Sequence, residues 1–169
     1  MVRVLDVYCA FLKFVIATLL AVMVVLVFGN VFLRYGFNSG ITISEELSRW
    51  LMVWLTFLGA IVALREHQHL GVDTLVQALP AIGKRVCFVI SYLLMLYADY
   101  LLLVGSWKQT IIGLGDRAPA TGLSVGLFYG VGVVFGISAG VIIIYELWRA
   151  ITGNLTEAEL VAVKESEEQ

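Results

Sequence analysis

The sequence predicts an all-α integral membrane protein with four transmembrane helices plus short interfacial helices. Composition is the first reason: 60% of the 169 residues are hydrophobic, 14% are charged, and the mean hydropathy is +0.94. That is more apolar surface than a soluble core of this size can enclose. The second is spacing. Four apolar runs, at about 14–33, 47–64, 86–107 and 123–145, are each near the ~20 residues that cross a ~30 Å hydrocarbon layer at ~1.5 Å rise per residue. The third is where the charge lies, gathered between the runs and in the end of the chain. Residues 1–152 therefore read as one membrane domain, and 153–169 as an acidic cytoplasmic tail carrying Glu157, Glu159, Glu165, Glu167 and Glu168. That acidity, with a net charge of -2, argues against nucleic acid as a partner.

In chain order, Met1 to Lys13 mixes apolar and charged residues and is expected to lie at the interface. The first run is uniformly aliphatic up to Gly29 and Asn30. It lacks the small-residue cleavage site of a secretory signal and reads as a retained anchor. Asn30, near the exit, is placed either to bond a neighbouring helix or at headgroup depth. The segment Asn38-Ser39-Gly40 is a turn. The second run has a readable start, with Thr42 or Ser44 as cap and Glu45 and Glu46 in the first turn, where free N–H groups and the dipole favour carboxylates. Glu45 and Glu46 stand four and three residues before Arg49, so its charge can be answered within its own helix. A second charged cluster, Arg65, Glu66, His67 and His69, closes the run. Asp73 to Leu79, stopped by Pro80, reads as a short surface helix.

The third run carries the one carboxylate well inside a predicted span, Asp99, expected to pair with Arg34, Arg49 or a partner or, alternatively, to couple ion movement. The last run is glycine-rich. Gly122, Gly126, Gly136 and Gly140 fall on one stripe at ~100° per residue, where another helix can approach closely. Trp50, Trp107 and Trp148 read as interface anchors, and Trp54 as a deeper helix contact. Orientation follows from the basic residues. Arg3, Lys13, Arg65, Lys84, Arg85, Arg149 and Lys164 outnumber Arg34, Arg49, Lys108 and Arg117, which places both termini in the cytoplasm. Cys9 and Cys87 then face a reducing compartment and are expected to be two small buried side chains without a disulfide.

Catalytic chemistry finds little support. Ser91, Ser106, Ser124 and Ser138 have no histidine or lysine within a span to activate them. His67 and His69 lack the third and fourth ligands of a zinc site, so no metal or cofactor is expected.

The residues Arg34-Tyr35-x-Phe37-Asn38, Ser44-Glu45-Glu46-Leu47-Ser48-Arg49, Trp54, Phe57-Leu58-Gly59-Ala60, Arg65, His69 and Val72-Asp73 resemble the small membrane subunit of tripartite ATP-independent periplasmic (TRAP) transporters. Ile43 departs from the pattern, which often has tryptophan there, and the last two spans match only loosely. The resemblance implies an inner-membrane protein that scaffolds a large membrane subunit as a heterodimer. That large subunit imports organic acids, C4-dicarboxylates first and sialic acid among the others, delivered by a periplasmic binding protein and driven by a sodium gradient. Under that reading Arg34, Tyr35, Glu45, Glu46, Arg49, Trp54, Arg65, His69, Asp73, Asp99, Gly126, Gly136 and Gly140 serve partner contacts or internal structure, and membrane lipid surrounds the chain. The alternative is a small self-contained dimeric transporter that uses Asp99 as its coupling group.

Overall fold

A computed structural model describes residues 2–66 and 81–152. It contains four helices: α1 (Val2–Phe37), α2 (Thr42–Arg65), α3 (Ala81–Gly113) and α4 (Val125–Thr152). All four are long and apolar enough to cross a membrane. At 36 residues, α1 is ~54 Å long, well beyond a ~30 Å hydrocarbon layer. The segment before Lys13 is thus continuous with the span, forming the first three turns of α1. Hydropathy marks only the stretch that prefers lipid, while the helix itself runs on because its N-terminal charges find partners on α2. The expected surface helix from Asp73, with His67, His69 and the acidic tail, lies outside the described residues.

The helices pack as a row in the order α1, α2, α4, α3, with α3 packed against α4 alone among the described helices. The inner two are the more buried. Leu58, Ile61 and Val62 recur at helical spacing on α2 and meet Leu12 of α1 and Ala139, Ile142 and Ile143 of α4. The outer helices carry bare apolar faces, including Phe14, Val25 and Phe28 on α1 and Leu94, Tyr97 and Ile112 on α3. So large an exposed apolar surface is stable only against lipid or another apolar protein surface.

Two backbone features shape the connections. Asn38, at φ 51°, is the left-handed residue that ends α1, and Ser39 N donates back to Leu33 O at 3.2 Å. Gly122, expected on the α4 stripe, instead sits before the helix at φ +69°, a turn conformation that costs glycine little. It closes a hairpin in which Ala118 N donates to Leu123 O and Val125 N to Asp116 O. Ser124 Oγ then accepts from Gly126 N, capping α4.

Candidate functional site

Most polar side chains of the described residues collect near the two ends of the helices, with Asp99 between them. At the end bearing the α1–α2 turn and the 114–124 hairpin, α2 starts without the expected Thr42 or Ser44 cap. Its N-cap is Ile41, with no side-chain cap bond. Asn30 of α1 takes over: its Oδ1 accepts from Ile41 N at 2.7 Å and its Nδ2 donates to Glu45 Oε1 at 3.2 Å. Ser44 Oγ donates across to Leu26 O at 2.8 Å, tying α2 to α1. Arg34 reaches Glu45 at 3.9 Å with both side chains largely exposed, a pair worth at most about 1 kcal/mol. Tyr35 is fully turned outward.

Glu46 turns the other way. Its carboxylate accepts from Ala120 N at 2.9 Å, Thr121 N at 3.3 Å and the Thr121 hydroxyl. One side chain of α2 thus holds the tip of the hairpin between α3 and α4. Trp54 Nε1 donates to Leu127 O at 3.2 Å, and Trp50 packs on Phe128 with ring centres 5.7 Å apart. Between α2 and the hairpin lies a cavity of about 750 Å³, lined by Ile43, Glu45, Glu46, Arg49, Trp50 and Phe128 among others. Arg49 makes no close ion pair, with no carboxylate within 4.0 Å among the described residues, although its charge still acts on Glu46 in its own helix. Replacing Glu46 with alanine should free the hairpin. The expected result is cleavage near Ala120 by a protease that leaves the parent chain intact, with Thr121→Ala giving a weaker version.

At the opposite end the central acid is Glu146, one residue beyond the fourth apolar run. It is 1% exposed, accepts a hydrogen bond from Arg149 at 3.1 Å and forms an ion pair with Arg65 at 3.6 Å. Arg65 also bonds Asp6 at 3.1 Å, and Lys13 pairs with Glu66. Helices α1, α2 and α4 are therefore clasped by one charge network. The signal was available: α2 and α4 run in the same direction, so Arg65 and Glu146 end at the same depth, and Glu146-x-x-Arg149 is an i, i+3 pair. Nearby, Tyr8 OH and Ser138 Oγ are 2.9 Å apart, joining α1 to α4.

Asp99 is not paired with Arg34 or Arg49. It is buried on the α3–α4 seam with Oδ1 lacking a hydrogen-bond partner, and a Cβ at Gly140 would stand 3.1 Å from its Oδ2. The seam needs its glycines. A Cβ at Gly113 would come 2.9 Å from Gly126 N, one at Gly126 3.0 Å from Thr110 O, and one at Gly136 2.9 Å from Leu103. Gly132 also belongs to this face, against Ser106, whereas Gly130 meets nothing within 4 Å. Among the described residues no group of three metal-ligating side chains converges. Cys9 is buried as expected, but Cys87 is exposed, and both are free thiols.

Residues 23–153 match the family model for tripartite ATP-independent periplasmic transporters, DctQ component. The chain is 46% identical over 140 residues to a Haemophilus influenzae protein described as a TRAP transporter small permease protein, covering 83% of this chain and 87% of that one. It is 34% identical over 106 residues to the C4-dicarboxylate TRAP transporter small permease protein DctQ of Vibrio cholerae, covering 63% of this chain and 46% of that one. It is 25% identical over 103 residues to the ectoine TRAP transporter small permease protein TeaB of Halomonas elongata, covering 59% and 53%.

Proposed function

Because the chain belongs to the DctQ component family of tripartite ATP-independent periplasmic transporters, we propose that it is the scaffold subunit that holds a large membrane subunit in the bilayer. Solute itself passes through that large partner. The observation that carries this reading is the division of surfaces. Asn30, Glu46 and Glu146 are turned inward onto the chain's own helices, while α1 and α3 offer bare apolar faces. A solute route needs convergent polar groups at mid-depth and interrupted helices. Here Asp99 stands against a glycine on an unbroken helix.

In this proposal the large subunit and a periplasmic binding protein complete the transporter in the inner membrane. The termini and the Arg65–Glu146 clasp face the cytoplasm, following the basic-residue bias. A sodium gradient drives uptake of an organic acid. The Vibrio cholerae relative's name favours a C4-dicarboxylate; the Halomonas elongata relative's name, ectoine, marks how far substrates differ between small subunits of this kind. Purification of the chain in mild detergent should bring down one multi-span partner at equal stoichiometry. Recovery of the chain alone under conditions that preserve other membrane complexes contradicts the proposal.

A further inference from the structure

We propose that the cavity at the start of α2 holds one zwitterionic aminophospholipid of the phosphatidylethanolamine type, its phosphate on Arg49 and its ammonium at Glu45. Neither neighbouring acid lies within 4.0 Å of Arg49: Glu46 is held by Ala120 and Thr121, and Glu45 gives Oε1 to Asn30 and Arg34, with Oε2 left to face the cavity's ligand. Arg49 is exposed at the mouth of a cavity of about 750 Å³ whose walls include Ile43, Trp50 and Phe128. A guanidinium beside apolar walls favours an oxyanion able to accept two of its N–H groups.

The wall chemistry decides which oxyanion. A carboxylate from another protein answers Arg49 but leaves the rest of the site unused. A phospholipid also covers the apolar wall with its glycerol and upper acyl chain. The cavity lies at the start of a membrane-spanning helix, where phosphates and tryptophan rings share the interface. Glu45 chooses among lipids. Its side chain is 51% exposed and one helical turn from Arg49, within reach of the amine of the same headgroup. A primary ammonium donates hydrogen bonds to that carboxylate, a trimethylated one does not, and a glycerol headgroup brings no positive charge. The inference rests on the helices spanning a membrane and not on which large subunit the chain serves.

The test is native mass spectrometry of the full chain in detergent, titrated with phosphatidylethanolamine, phosphatidylcholine or phosphatidylglycerol. Phosphatidylethanolamine should bind tightest. Arg49→Gln should weaken it about tenfold, the loss of one charge-assisted contact, and Arg49→Lys should recover part of that loss. Glu45→Gln should erase the preference for phosphatidylethanolamine over phosphatidylglycerol. Equal binding of the three lipids to the parent chain overturns the proposal, and that arm needs no variant to fold. Unchanged lipid binding by Arg49→Gln, with lower recovery of a protein partner, also overturns it and makes the site a protein contact.

Discussion

Glu146→Ala should be the most damaging single substitution in the described part of the chain. Glu146 answers Arg65 and Arg149 from a position that is 1% exposed, so its removal leaves two cations facing each other with little water to solvate them. Breaking a buried pair by removing one partner costs about 3–5 kcal/mol. Since the Arg65 and Arg149 side chains retain 15% and 24% exposure, the lower end of that range applies. The measurement is thermal unfolding in detergent, with Glu146→Gln falling between parent and alanine. Replacing the pair together, Arg65→Met with Glu146→Leu, should cost less than the sum of the two changes, because the most buried pair leaves whole and only the more exposed Asp6 and Arg149 each lose one contact. A double variant as unstable as the sum of the two singles contradicts a shared network.

Gly136→Leu should open the seam between α3 and α4. Even a methyl group at Gly136 would stand 2.9 Å from Leu103, and a larger side chain pushes the two helices apart, at about 2–3 kcal/mol by comparison with other overpacked cores. Since α3 packs on no other described helix, it is the element expected to detach, and a cysteine crosslink across the seam reports it. Leu103→Ala should restore part of the loss, because the obstruction is largely a side chain. Gly113→Ala has no such rescue, its obstacle being the backbone of Gly126. Gly130→Ala, with nothing within 4 Å, is the control that should leave the crosslink unchanged.

The helices were readable because a lipid solvent forces long apolar runs into helices, whose backbone bonds are satisfied internally. Their order in space was not readable. Hydropathy says which residues avoid water, not which helix lies beside which, and the row α1, α2, α4, α3 follows from long-range matches such as Glu46 with Ala120 and Arg65 with Glu146. The Glu45-Glu46-Arg49 cluster stood out in the sequence, but a helical-spacing argument paired its members with one another. In the structure Glu45 turns to the Asn30 side-chain amide of α1, and Glu46 turns to the hairpin, where backbone N–H groups offer a carboxylate better-aligned donors than an exposed neighbour three residues away. Glu146 was overlooked because the apolar run ends beside it. Asp99 was noticed for its depth, and its true neighbour, Gly140, carries no charge to suggest the contact.

The division of labour is tested most directly by reconstitution. In proteoliposomes with a sodium gradient, a labelled organic acid and its binding protein, this chain alone should give uptake no greater than empty liposomes, and the same chain with its large membrane partner should transport. Uptake by this chain alone, abolished by Asp99→Asn in a protein that still assembles, contradicts the scaffold account and places the route through the α3–α4 seam.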